Sequence, residues 1–327
     1  MLDNAVLRNH YWIGWRRPRQ WNRSRVTIER FEHFVSCNNR GCTLVLGRQA
    51  IVRRTLLATV LAAGICSPAL AQEQVEIELM TYPEIAAAMQ KGKTTVLIYN
   101  GGTEQRGPHA VLGGHTLIVR RASVEIARQL GNALVAPVLP FSIAGEHLNP
   151  KWPGSVNLPG PVFSAVNEAV VDSMVVNGFK SIVLMGDHGG GQKELKDLAQ
   201  RLDKKYAAKG SRVYFCGDVY AKTHDDVDAW VKEHGLPLAT HGGIDDTSLL
   251  MFLGGDSYVR KDKLVAGDPV VAPGQQPDTT KPRVDNGVTG DPRPATPEFG
   301  KVFFDIQVRN AVAQIRSLIG SAPKAAQ

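Results

Sequence analysis

The chain has 327 residues and a formal net charge of +7, a balance that taken alone would suggest nucleic acid or an anionic membrane as partner. The position of the charge excludes that inference: residues 1–71 carry eleven Arg, no Lys and three acids, a surplus of +8 that leaves residues 72–327 at −1. Of four cysteines only Cys216 lies beyond residue 71, so the body of the protein has no pair for an intramolecular disulfide, and the run Val213-Tyr214-Phe215-Cys216 marks the thiol as buried.

Residues 1–50 set Trp12, Trp15 and Trp21 among arginines with no heptad, strand alternation or globular pattern. They read as a non-globular extension, or as the product of an upstream start with initiation near Val52. Residues 51–71 follow the order of a secretory signal: Arg53 and Arg54, an apolar run from Thr55 to Cys66, then the small-x-small site Ala69-Leu70-Ala71. The run is short for a hydrocarbon core that needs about 20 residues. The expectation is cleavage near Ala71, no stable membrane anchor, and a periplasmic or secreted product, 72–327, folded as a single domain. About 250 residues are enough to build one large core.

Along that body, Thr81 with Glu84 three residues on reads as a helix cap, and the Ala-rich run after it as helix stopped at Gly92. A buried strand follows over 94–99. Helix is predicted over 116–130, strand over 134–139, helix over 162–177, strand over 181–185, helix over 192–208 and strand over 212–216. Strands that are apolar throughout, alternating with helices, predict an α/β fold with a mainly parallel sheet covered on both faces. Residues 265–297 hold seven prolines and are too long for an ordinary connection, so they read as a structured excursion near a site or a subunit contact. A closing helix is predicted from about Phe304 to Leu318.

In such a sheet, ligands bind beyond the C-terminal strand ends, and the unusual polar residues fall there. After the first strand come Glu104, Arg106, His109 and His115 among glycines; after the 181–185 strand come Asp187 and His188 in Gly186-Asp187-His188-Gly189-Gly190-Gly191; a third cluster runs from His241 through Asp245 and Asp246 to Ser248. Carboxylates and neutral imidazoles are the donors that borderline divalent ions accept, and catalytic zinc keeps three protein ligands and one open position. Nothing matches a G-x-S-x-G nucleophile elbow or a P-loop. The non-enzymatic reading of the same donors is a periplasmic metal or small-ligand binding protein, or a catalytically degenerate relative of an enzyme.

These clusters resemble the motifs of the creatininase (creatinine amidohydrolase) family. The resemblance rests on Gly102-Thr103-Glu104-Gln105-Arg106-Gly107-Pro108-His109, on Gly145-Glu146-His147 with Pro153-Gly154-Ser155, on Gly186 to Gly191, on His241 to Ser248, and on Gly287-Val288-Thr289-Gly290-Asp291-Pro292, in the family's order. It implies a three-layer α/β/α sandwich, a homo-oligomer that is often a hexamer, zinc or manganese, and hydrolysis of a C–N bond outside peptides. Glu104 and His188 fall on family metal ligands. Arg106 stands where the family has a ligating histidine, and His115 where it has an aspartate. Arg cannot ligate a metal in the usual way, being always protonated, so one divalent ion, Zn2+ or Mn2+, is expected rather than a pair. The implied ligand set is Glu104, His115 and His188, with Asp246 completing the sphere or acting as base. The implied reaction is attack of metal-activated water on a small amide or cyclic amide, with Asp246 or Glu146 as proton acceptor and His147 or His241 as donor to the leaving nitrogen. Arg106 would bind a substrate carboxylate or the oxyanion.

Overall fold

The computed structural model describes residues 73–271, 280 and 282–320; the expected extension over 1–50 and signal over 51–71 lie outside the described residues. Thr81 opens the first helix, α1 (Tyr82–Gln90), and both its amide and its hydroxyl donate to the Glu84 carboxylate, at 2.6 and 2.7 Å. Four strands form one parallel sheet in the order β2-β1-β3-β4: β1 (Thr95–Asn100), β2 (Ala133–Val135), β3 (Ser181–Gly186) and β4 (Arg212–Phe215). Every residue of β1 is buried, as the continuous apolar run requires of a strand covered on both faces.

Helices α3 (Gly160–Val176) and α4 (Gln192–Tyr206) pack together on one face of the sheet. Helix α2 (Gly114–Leu130) and the long α7 (Pro297–Gly320) take the other, with α5 (Ala221–Glu233) and α6 (Ile244–Gly254) laid against α7. The result is a three-layer α/β/α sandwich. The main core spans both faces of the sheet, and a second apolar cluster around Ile118, Val231, Leu250 and Phe303 joins α5, α6 and α7. Cys216 is fully buried between β4 and α7, where burial pushes its thiol up to about 12. Among the described residues no helix is long and apolar enough to cross a membrane.

Two elements differ from expectation for local reasons. β2 stops at Val135 instead of reaching 139: the Ala136 amide still reaches Leu97 O at 2.9 Å, but Pro137 has no N–H to continue the ladder. Helix α7 starts at Pro297, well before Phe304, because Thr296 caps it by accepting the Phe299 amide at 3.2 Å and proline suits the first helical position. Helix α5 was not expected from the sequence. The excursion after residue 264 keeps no helix or strand beyond a bridge in its described part. Its ends pair with each other, Gly267 N–H to Gly290 O at 2.9 Å and Gly290 N–H to Asp268 O at 2.8 Å, and with the third polar cluster, Thr289 N–H to His241 O at 2.9 Å.

Gly300 is where α7 crosses α6. A Cβ there would lie 1.9 Å from Ser248 O, so Gly300→Ala is expected to destabilise the fold by about 1–3 kcal/mol through overpacking, read as a lowered urea midpoint with an unchanged slope.

Candidate metal centre

The sheet's topology explains why the polar residues meet. β1 and β3 are adjacent and parallel, so the segments that leave their C-terminal ends emerge side by side. The first segment passes Gly101, where a Cβ would lie 2.7 Å from Thr116 at the start of α2, and delivers Glu104, 1% exposed. The second delivers Asp187 and His188, held by the Asp187 amide on Asn100 O at 3.0 Å and by Gln192 Nε2 on Gly186 O and His188 O. The backbone at Gly190 passes so close to Ile143 that a Cβ would lie 1.9 Å from its carbonyl, while the Gly190 amide donates to His188 Nδ1 at 2.9 Å.

Around the Glu104 carboxylate stand four imidazoles and one guanidinium. His188 Nε2 touches Oε2, His147 Nε2 lies 3.4 Å from Oε2, His115 Nε2 3.0 Å from Oε1, His241 Nδ1 3.7 Å from Oε1, and Arg106 Nη2 3.8 Å from Oε1. Despite the His188 contact, Oε2 is buried and accepts no hydrogen bond. Donor atoms of Glu104, His147 and His188 all lie within 4.8 Å of one another, which is the arrangement of ligands that converge on a cation.

The third member of that set is His147, not His115. His115 is buried at the start of α2 with both ring nitrogens on carboxylates, Nε2 on Glu104 and Nδ1 on Asp187 Oδ2 at 2.7 Å. Although burial and Arg106 push its pKa down, the bonds to Asp187 and Glu104 outweigh them and raise it. It bridges two acids, with both ring nitrogens engaged by carboxylates. Asp187 in turn is fixed through Oδ1 by Tyr99 OH at 3.1 Å and Gln307 Nε2 at 2.6 Å. His147 comes from a single helical turn, Gly145–His147, its ring stacked on His241 with centroids 4.4 Å apart. His241 Nε2 sits 2.7 Å from Gln105 O, which leaves Nδ1 facing the site. His109 turns away, its Nε2 2.9 Å from Thr247 Oγ1.

Arg106 is fully buried and paired with Asp246 Oδ1, in a space that Gly114 leaves open: a Cβ there would lie 2.9 Å from the arginine side chain. Asp246 Oδ2 accepts the Gly242 amide at 2.8 Å, so both of its oxygens are engaged and neither is the free ligand or base that the sequence suggested. Burial pushes its pKa up, but Arg106 and the neighbouring histidines hold it well below the carboxylate range. Glu104 follows the same logic, with burial opposed and overcome by His115, His188 and Arg106. Burial and Arg106 depress His241 to about 4, and burial also lowers His147. Glu146 lies at the rim, its side chain 74% exposed, with Oε1 3.5 Å from His147 Nε2.

These groups line a cavity of about 380 Å³, together with Tyr220, His224 and Asp245. Burial pushes the Tyr220 phenol up to about 12, so it stays protonated. Asp245, whose Oδ1 has no hydrogen-bond partner, is pushed up to about 6 by burial and by Asp246 beside it. Sequence reasoning did not assign roles to Asp187, Tyr220 or Asp245. Asp187 had a signal, being the residue before His188 at a strand end; Tyr220 opens a helix that was not predicted and had none.

A family profile described as "Creatininase: Creatinine amidohydrolase" matches residues 78–315. Among curated proteins the chain is 26% identical over 237 residues to the "Mycofactocin precursor peptide peptidase" of Mycolicibacterium smegmatis, covering 68% of this chain and 84% of that one. Among solved structures, one described as "Creatininase Mn" superposes with a TM-score of 0.61 at 22% identity, over 75% of this chain and all but 1% of that one, which is covered to 99%. A putative creatinine amidohydrolase from Bacteroides fragilis gives a TM-score of 0.58 at 19% identity, covering 78% of this chain and 100% of that one. At these identities the structures speak for the fold.

Asp246→Asn leaves the Arg106 charge buried without its partner and is expected to cost about 3–5 kcal/mol; the double variant with Arg106→Met should recover most of that loss in chemical denaturation. Asp245 gives a pH signature. Its folded pKa of about 6 lies above the usual value of about 3.9, so the stability held by its protonated form is complete below about pH 4 and is lost as pH rises through about 6. Between those values Tm should fall less steeply in Asp245→Asn than in the unchanged protein.

Proposed function

This chain belongs to the creatininase family, and from that premise we propose that it is a metal-dependent amidohydrolase that cleaves a non-peptide C–N bond in a small amide or cyclic amide, using one divalent ion. The observation that carries this reading is the buried Glu104 Oε2, without a hydrogen bond, with His188 and His147 nitrogens against it. Glu104, His147 and His188 make a His₂Glu set, a composition found in catalytic zinc sites, and the same donors accept manganese. When bound, such an ion supplies Lewis acidity toward a carbonyl oxygen and a source of hydroxide near neutral pH.

The chain's own residues supply the rest. Arg106 is a permanent cation locked between Asp246 and Glu104, and it takes up the carboxylates that a second ion would need. Its N–H groups lack a hydrogen-bond partner and it lines the cavity, so its fixed charge favours an oxyanion as negative charge develops there. His241, neutral with Nδ1 toward the cavity, is placed to take a proton and pass it to the departing nitrogen. Glu146 at the rim is the carboxylate still free to act as base. Tyr220 keeps its proton and donates a hydrogen bond to the substrate.

The signal-like segment 51–71 supports action in the periplasm or outside the cell, and family likeness supports a homo-oligomer. One observation favours a second reading, a binding protein without turnover: Asp246, expected as base, is locked by Arg106. The Mycolicibacterium relative is described as a peptidase, which puts short peptide amides in the substrate panel beside lactams, cyclic ureas and formamides.

Metal analysis of the purified protein should find one zinc or manganese per chain, lost in His188→Ala and His147→Ala and kept in His115→Gln. Chelation should abolish amide hydrolysis, and re-addition of the metal should restore it. Tight ligand retention with no turnover by the metal-loaded protein would favour the binding reading. Two ions in the unchanged protein would remove the role given to Arg106.

A further inference from the structure

Beside the metal centre lies a recess that the chemistry above does not use. Between β2 and α3 the chain makes a tight turn, Asn149-Pro150-Lys151-Trp152, closed by the Trp152 amide on Asn149 O and the Lys151 amide on Asn149 Oδ1, both at 2.9 Å. Proline at its second position and asparagine at its first are the residues such a turn favours. The turn and its flanks border an open recess of about 310 Å³, lined by His147, Leu148, Pro150, Trp152, Pro153 and Ser155.

Three features tie this recess to the site. His147, one of the candidate metal donors, walls both the recess and the catalytic cavity. The loop is held in register with the Glu104 segment, because Gln105 N–H donates to Ser155 Oγ and Val156 N–H donates to Thr103 O, each at 2.9 Å. Leu148, the residue after His147, is 55% exposed. Its neighbours in the recess are apolar surfaces of Pro150, Trp152 and Pro153, and an apolar wall exposed beside a polar site marks a place for an apolar part of a ligand. Lys151 is drawn to Asp285 at 2.6 Å and lies 5.7 Å from the Trp152 ring centroid, so its charge is engaged at the rim.

We propose that this recess is a specificity subsite for a branched aliphatic or aromatic group carried next to the scissile C–N bond, with the amide itself reaching the donors on the other side of His147. The inference rests on the proposed metal-dependent hydrolysis and narrows its substrate class: amides with a hydrophobic side group are preferred over bare cyclic ureas and simple formamides.

The test uses acyl hydroxamates, which ligate the ion directly, on the purified zinc-loaded protein by calorimetry. The probes are acetohydroxamate, 4-methylpentanohydroxamate and 3-phenylpropionohydroxamate. Burying the apolar group should make the two larger probes bind about tenfold or more tighter than acetohydroxamate. In Leu148→Ser that gain should shrink to about threefold or less by the same area argument, with acetohydroxamate affinity and zinc content unchanged, and Leu148→Met should retain it. Equal affinity for all three probes would overturn the subsite and leave the metal centre standing. Failure of every hydroxamate to bind the zinc-loaded protein would overturn the reading of a catalytic ion with an open position, and the subsite with it. A flat series together with a smaller particle for Leu148→Ser in light scattering would assign the recess to a second copy of this chain.

Discussion

A carboxylate that is 1% exposed is expensive unless its charge is matched, and the way Glu104 is matched organises everything around it. No single counter-ion does so. His115 gives a charged hydrogen bond on one oxygen, Arg106 a fixed cation at longer range, and His188 and His147 crowd the other oxygen without bonding to it. One oxygen is thereby matched by His115 and Arg106, and the other faces the two imidazoles of the candidate donor set. The two halves of the carboxylate have different jobs, and the positions of β1 and β3 set which half faces which neighbour.

The same logic explains Arg106 and Asp246. A buried ion pair is a weak source of stability, since desolvation offsets most of the attraction, so its retention here points to what it does for the site. It keeps a positive charge beside Glu104 at any pH, where a metal's charge would depend on supply. It also sets the local order of titration: Asp246 ionised, Asp245 beside it pushed up, and His241 held neutral. These settings place an uncharged imidazole and a fixed cation on the same cavity.

The sheet was legible in the sequence because buried parallel strands leave continuous apolar runs, and β1, β3 and β4 appear close to where those runs lie. β2 was overextended, since periodicity cannot see that one proline removes a ladder donor. The three polar clusters were legible from their place after strands, and they do meet. The division of labour inside them was not. His115 and His147 are equally plausible donors by residue type. They differ in their surroundings: Asp187 takes the second nitrogen of His115, and Gln307, from α7, bonds to Asp187. No spacing in the sequence encodes that three-residue chain.

Gln307 also bears on timing. It bonds to Tyr99 across 208 residues of chain and to Asp187 across 120, and it belongs to the last helix described. A chain still emerging from a ribosome has its first strand, its Glu104 and its His188 long before it has the side chain that bonds to Asp187. The hydrogen bonds that fix Asp187 beside His115 therefore close only when the final helix has arrived and docked.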